Sequence, residues 1–248
     1  MQRITLVTGG SRGIGAATAL RCAQAGHAVA VNYARDVQAA ARIVAQIEAS
    51  GGRAIAVQAD VAIDSDIERM FETVDRELGT LTGLVNNAGI IDVVARVDEM
   101  DAKRLARMFN VNVVGSFLCA RQAILRMSSR HGGAGGSIVN LSSAGARIGS
   151  PGQYVDYAAS KGAIDTFTLG LAREVATEGV RVNAVRPGII DTEIHASGGQ
   201  PDRVAQSAAL MPMRRAGTAD EVARAIVWLL SDDASYTTGT VLDVTGGR

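Results

Sequence analysis

Tyr157-Ala-Ala-Ser-Lys161 sets a phenol and an ammonium four residues apart. On an α-helix that spacing brings both side chains to one face, where the cation can favour the phenolate. A free tyrosine titrates near about 10, and a positive charge within about 4–6 Å lowers it, so the pair could move a proton at a reacting oxygen near neutral pH. The spacing alone equally describes a surface helical pair with its phenol at the edge of a core. A second segment gives it context: Thr8-Gly9-Gly10-Ser11-Arg12-Gly13-Ile14-Gly15 follows an apolar run directly and opens a helical pattern. Glycines there allow a tight turn and close approach of the backbone to a pyrophosphate, whose charge the exposed amides of a helix start attract.

The elements that must carry these groups alternate along the chain. Short apolar runs at 3–8, 27–33, 53–58, 83–86, 136–141, 180–185 and 240–244 read as seven strands. Between them, apolar residues recur at helical spacing, as in Ile43, Val44 and Ile47, or Ile67, Met70, Phe71 and Val74. The pattern predicts an α/β, doubly wound parallel seven-stranded sheet with helices on both faces, one domain over residues 1–248. Ligands of such a sheet bind beyond the carboxyl ends of the strands. The glycine-rich segment 128–136 reads as a mobile connector. The segment 189–215, with Gly198, Gly199, Pro201 and Pro212, is long enough for a substrate lid, and Met211 and Met213 could be lid core or substrate contacts.

Composition narrows the partners. Twenty-five basic residues balance twenty-five acidic ones in 248, and no basic run suggests nucleic acid. No apolar stretch approaches the roughly 20 residues that span a bilayer, which predicts a cytoplasmic protein without a membrane partner. Cys22 and Cys119 fall in predicted helices and read as reduced, buried thiols. His27, His131 and His195 show no metal-ligand spacing. No Gly-x-Ser-x-Gly elbow frames a nucleophilic serine.

With Gly9-x-x-x-Gly13-x-Gly15, Asn86-Asn-Ala-Gly89, Asn112, Ser142-Ser143, Tyr157-x-x-x-Lys161 and Pro187-Gly188 in register, the sequence resembles the short-chain dehydrogenase/reductase family along essentially its whole length. Within it, residues 149–157 look like the branch of 3-oxoacyl-carrier-protein reductases and glucose-dehydrogenase-like enzymes. The resemblance implies hydride transfer between a nicotinamide cofactor and a small carbonyl or alcohol substrate. It assigns Tyr157 as general acid or base, Lys161 to tune it and hold the nicotinamide ribose, Ser143 to bind the substrate oxygen, and Asn112 to anchor a proton-relay water. Ser142 stays open as an alternative to Ser143, and a buried amide serving the backbone is the plain reading of Asn112. For the cofactor, the resemblance implies contacts from Gly9, Ser11, Arg12, Gly13, Ile14 and Gly15 at the pyrophosphate turn. Asp60 and Val61 would hold the adenine, and the Asn86 to Gly89 loop, through Asn87, Ala88 and Gly89, would brace the adenosine. Ile190 and Thr192, after Pro187 and Gly188, would meet the carboxamide.

The end of the second strand, Asn32-Tyr33-Ala34-Arg35, lacks the acidic residue that would bind the ribose 2′-hydroxyl of NAD. Arg12 and Arg35 could instead receive a 2′-phosphate, so NADP(H) is favoured, with NAD(H) possible through the adjacent Asp36. The competing function is a non-catalytic NADP-binding sensor, against which the intact Tyr157, Lys161 and Ser143 count. The resemblance also implies a homotetramer, with the helix around 102–127 and the one carrying Tyr157 at the contacts. The run Val111, Val113, Val114, Phe117 and Leu118 fits that expectation or simple core burial.

Overall fold

Neighbouring residues of a strand point to opposite faces, and in these strands both are apolar. Leu6, Ala30, Leu84 and Ile138 join one buried cluster, while Val7, Val31, Val85 and Val139 join another. Such strands are stable only when both faces are covered. In the computed structural model, which describes residues 2–248, they form the sheet β3-β2-β1-β4-β5-β6-β9, parallel throughout. Its strands are β1 (Ile4–Val7), β2 (Ala28–Tyr33), β3 (Ala54–Gln58), β4 (Gly83–Asn86), β5 (Gly136–Leu141), β6 (Val180–Pro187) and, last in the chain, β9 (Val241–Val244). One face is covered through Phe71 of α3 (Asp64–Glu77), Cys119 and Met127 of α5 (Gly115–Met127) and Leu171 of α7 (Val155–Val175). The other is covered through Cys22 of α1 (Gly13–Gln24), Ile43 and Ile47 of α2 (Val37–Ala49) and Ile226 of α10 (Ala219–Leu230). The strand order reverses between β1 and β4, which opens a crevice at their carboxyl ends.

Three segments depart from the sequence reading. First, α4 (Ala102–Phe109) runs through a π-helical turn, Asn110–Val114, into α5. The combined helix Ala102–Met127 is, by length and composition, apolar enough to cross a membrane, which corrects the expectation that no stretch approaches that length. Its hydropathy belongs to a core face: Cys119, Ala120, Ala123 and Met127 are buried in the cluster beneath the sheet. Second, the 128–136 connector is tied down rather than loose. Amides of Gly133, Gly135 and Gly136 donate to the carbonyls of Ser128, Met127 and Gly179. A Cβ on Gly133 would lie 2.3 Å from the Met127 carbonyl carbon, so glycine serves a close backbone approach there. Third, the lid holds two short helices, α8 (Ile194–Ser197) and α9 (Arg203–Ala208), rooted by β7 (Ile190–Asp191) pairing with β8 (Gly217–Thr218). Met211 is buried and Met213 is 60% exposed, so the two methionines divide between lid core and surface.

Both cysteines are free and buried, and burial pushes each thiol up to about 12. His27 is buried with Nδ1 2.8 Å from Thr5 Oγ1, and burial, reinforced by the charge of Arg3, pushes its pKa down to about 4. The unfolded chain takes up a proton near pH 6.5 and the folded one only near 4, so stability present at neutral pH is lost as pH falls through that window. Between pH 7 and 5 the loss is about 2 kcal/mol. Melting temperature should drop by several degrees over that interval, and much less in His27→Gln.

Candidate active site

The glycine turn is held from below by side chains remote in sequence. Asn32, buried near the end of β2, accepts a hydrogen bond from the Gly9 amide at 3.0 Å and donates to the Ala59 carbonyl at 3.0 Å. Asn87, after β4, donates to the carbonyls of Thr8 and Gly9 at 2.8 and 3.0 Å. The Thr8 hydroxyl accepts from the amides of Asn87 and Ala88, each at 3.0 Å. Gly15, in the first turn of α1, packs so tightly here that a Cβ would sit 2.2 Å from the Gly9 oxygen. Arg12 occupies the N-cap of α1 without a side-chain cap, and the first turn carries no acid. The free amide donors there have no side-chain cap within the turn, which fits a dinucleotide diphosphate; the Glu193 carboxylate of the lid comes near Gly13.

Tyr157 and Lys161 lie in the first turns of α7, whose start is locked by Asp156. That carboxylate is buried and held by the Arg104 guanidinium of α4 at 2.8 and 3.3 Å. Beside them is a cleft of about 150 Å³ at the carboxyl ends of the strands. Its lining joins Tyr157, Lys161 and Ser143 to Ile14 of the glycine turn, Asn87 and Gly89 after β4, and Pro187, Gly188, Ile190 and Thr192 after β6. Lys161 Nζ donates to the Leu141 carbonyl at 2.7 Å and stands 5.7 Å from the Tyr157 ring centre. Desolvation brings this ammonium down to about 8, against the opposing pull of Asp165. Desolvation also raises Tyr157, with a hydrogen bond from Ser143 and the charge of Arg203 acting the other way. This corrects the expectation that Lys161 brings the phenol down: the ammonium is turned onto a backbone carbonyl, and loss of solvent outweighs the charges nearby.

The two serines separate by burial. Ser142 is buried, with its hydroxyl donating to the Lys161 carbonyl at 3.3 Å and its amide to Val185. Ser143 is only half-buried, accepts from the Gly145 amide at 3.1 Å and is the serine whose hydroxyl meets Tyr157. Asn112 is fully buried. Its side chain accepts from the Ile90 amide at 2.8 Å and donates to the Ile90 carbonyl at 3.0 Å and to Ser160 at 3.1 Å, clamping the loop after β4 to α7.

The remaining residues singled out in the sequence stand outside the cleft lining, along its flank. Gly9, Ser11, Arg12, Gly13 and Gly15 form the turn, with Gly13 against the methyl of Thr192. Arg35 is exposed beyond β2, and the neighbouring Asp36 caps α2 by accepting from the Ala39 amide at 2.9 Å. Asp60 follows β3, accepting from the Ala62 amide and donating its own amide to Asp66. Val61 is buried in the core, with both its carbonyl oxygen and its side chain packed against Gly115. Ala88 is braced by Thr8, and Asn86 points into the core, donating to Asn140 at 3.0 Å. Sequence reasoning missed Tyr154, His195 and Arg248 as cleft residues. Tyr154, three residues before Tyr157, was within reach of a spacing argument. Nothing local marks Arg248.

A parallel sheet with a phosphate-ready turn at its switch point and a tyrosine, lysine and serine in the adjoining cleft defines a dinucleotide-dependent oxidoreductase. A family model described as enoyl-(acyl carrier protein) reductase matches residues 9–248. The chain is 54% identical over 245 residues to an uncharacterized oxidoreductase, YgfF, of Escherichia coli, covering 99% of each. It is 38% identical to glucose 1-dehydrogenase 2 of Bacillus subtilis over 99% of this chain and 94% of that one. A blue fluorescent protein from a metagenomic library, solved in complex with NADPH, superposes with a TM-score of 0.90 at 34% identity, covering 99% of this chain and 97% of that one. The chain belongs to the short-chain dehydrogenase/reductase family of NAD(P)-dependent oxidoreductases.

Proposed function

We propose that this protein is an NADP(H)-dependent reductase of a small carbonyl compound, with Tyr157 as the proton donor. The observation that carries the reading is the convergence of Tyr157, Ser143 and Lys161 on one cleft continuous with the glycine turn. A bound nicotinamide would supply the hydride to the carbonyl carbon. Ser143 then binds the carbonyl oxygen, and Tyr157 delivers its proton to that oxygen as negative charge develops. A phenol raised by desolvation is protonated at neutral pH, which suits it to donate and so to reduction. Lys161, beside Gly89 and beneath Leu141, is the group to hold the ribose hydroxyls. The Asn112 side chain is spent on Ile90 and Ser160 and its main-chain carbonyl already accepts from the Ser116 hydroxyl at 3.2 Å, so a relay water would have to share that carbonyl.

NADP over NAD is supported by Asp36, whose carboxylate is engaged as the cap of α2, and by the exposed Arg12 and Arg35 at the turn and the strand end. Charge-assisted hydrogen bonds to a 2′-phosphate contribute about 1.5–3 kcal/mol each, so Arg35→Ala should narrow the NADPH-over-NADH ratio of kcat/KM by roughly ten- to a hundred-fold. NADPH oxidation by the purified protein over ketones, aldehydes, sugars and an acyl-thioester mimic tests the reading. Turnover of any of these supports it. Tight NADPH binding without turnover would move the assignment to a cofactor-binding sensor. A homotetramer is proposed on the apolar groove between α5 and α7, where Phe117 stacks on Phe167 with ring centres 3.7 Å apart and Val114 and Phe117 are more than 40% exposed. Val111 and Leu118 pack on the core instead. Light scattering reads the mass.

A further inference from the structure

The arginines of this protein are mostly spent on carboxylates. Arg104 holds Asp156, Arg126 holds Asp75, Arg147 and Arg186 hold Asp243, and Arg215 holds Glu221. Arg203, at the start of α9, is different. It lines the cleft beside Tyr157, and the hydrogen-bond partners the structure gives it are the neutral side-chain oxygens of Gln153, at 3.2 Å, and Gln200. Its guanidinium carbon stands 5.1 Å from the centre of the Tyr154 ring, which fixes the group over an aromatic face. Tyr154 is itself buried and donates to the Gly198 carbonyl of the lid at 3.4 Å, so the arginine is held from both the lid and the start of α7.

A second guanidinium, that of Arg248 beyond β9, lines the same cleft. Burial, and after it the charge of Arg203, lowers the pKa of Arg248, so the two cations are within electrostatic reach. The charge of Arg203 reaches Tyr157 and His195 as well. Apart from the Lys161 ammonium beside Tyr157, the remaining walls are apolar or neutral, among them Ile91, Ile148 and Ile189, with the His195 ring pinned to the Ile190 carbonyl at 2.9 Å and its pKa depressed by burial. Two guanidiniums that line one cleft can share an anion, and a planar guanidinium presents paired donors to carboxylate or phosphate oxygens.

We propose that the substrate of this enzyme is an anionic carbonyl compound, an oxo acid or oxo phosphate, whose acid group is bound by Arg203 and Arg248 while its carbonyl oxygen meets Tyr157 and Ser143. The proposal rests on the reductase reading above and adds the chemical class that reading leaves open. The lid then selects by charge: α9 brings the arginine, and a neutral ketone of the same size leaves both cations unpaired in the cleft. The acid group takes no part in the chemistry. The carbonyl carbon gains hydride from the reduced nicotinamide, its oxygen gains the Tyr157 proton, and the acid leaves unchanged.

The test compares matched pairs with NADPH: 4-oxopentanoate against its methyl ester, and dihydroxyacetone phosphate against dihydroxyacetone. The wild type should favour the charged member of at least one pair by ten- to a hundred-fold in kcat/KM, and the pair that does so tells carboxylate from phosphate. In Arg203→Gln the ratio should collapse toward one, carried mainly by KM, and Arg203→Lys should restore part of it. Arg214→Gln, an exposed arginine of the same segment, should keep the wild-type ratio. Equal or better turnover of the neutral members, or a ratio that survives Arg203→Gln, overturns the proposal and leaves hydride transfer intact. Calorimetric titration of 4-oxopentanoate and of dihydroxyacetone phosphate into the NADP⁺-saturated protein reads binding without chemistry. Binding there that Arg203→Gln abolishes supports the anion site even if the reductase reading fails, and absence of both binding and turnover sinks the two together.

Discussion

Tyr157→Phe is expected to lower kcat for carbonyl reduction by about a thousand-fold, the middle of the range that a positioned general acid supplies. The substitution removes one oxygen and leaves the ring in place. Because Tyr157 sits in the first turn of a helix locked by Asp156 and Arg104, melting temperature should change by only a few degrees and NADPH should still bind. Loss of rate together with loss of fold would mean that the phenol holds the structure rather than the reaction. The pH profile carries a second signature. Desolvation raises the phenol, so reduction should be flat through neutral pH and decline only as the phenol ionises in alkali, while alcohol oxidation, which needs the phenolate, should climb with pH. Lys161 loses its charge near pH 8, so its hold on the cofactor should weaken above that point. An acid-limb loss of reduction, with the protein still folded, would contradict the assignment of Tyr157 as the donor.

Gly15→Ala is expected to raise the Kd for NADPH at least a hundred-fold and to cost about 1–3 kcal/mol of stability, the range typical of an overpacked site. The new methyl would stand 2.2 Å from the Gly9 oxygen and 2.5 Å from Asn87 Nδ2. The first of these atoms is backbone. Relief therefore requires α1 to move away from the turn, which breaks the Asn87 bond to the Gly9 carbonyl and misaligns the amides meant for the diphosphate. Fluorescence titration of NADPH and a thermal melt measure the two effects separately. A variant that melts early yet binds NADPH normally would show that the turn tolerates displacement and that the diphosphate lies elsewhere.

The proposed specificity for anions ties these two parts together. The glycine turn would take the cofactor's phosphates at the switch point of the sheet, whereas Arg203 and Arg248 line the cleft that holds Tyr157. A charged substrate would bridge the lid to the first turn of α7 through Arg203, giving the lid a reason to order when substrate is present.

What was legible in the sequence was local. Paired apolar residues such as Leu6-Val7 and Ile138-Val139 require both faces of a strand to be covered, and they predicted a parallel sheet wrapped by helices. Tyr157 and Lys161 share a helix face by spacing alone, and the glycine turn had to open a helix directly after a strand. Tertiary structure decided what depends on distance and burial. Asn32, at the strand end where no acid stands, is turned beneath the glycine turn, 23 positions away, where its side chain accepts from the Gly9 amide. Asp36 looked able to reach a ribose and is drawn instead into capping α2. Lys161 Nζ is turned onto a backbone carbonyl, and Ser142, which lines the cleft beside Ser143, is buried with its hydroxyl on another. Arg203 and Arg248 come together only when the lid folds over α7 and β9 ends beside it. Local pattern follows the period of the backbone, whereas the charge state of a site follows which distant groups exclude water from it.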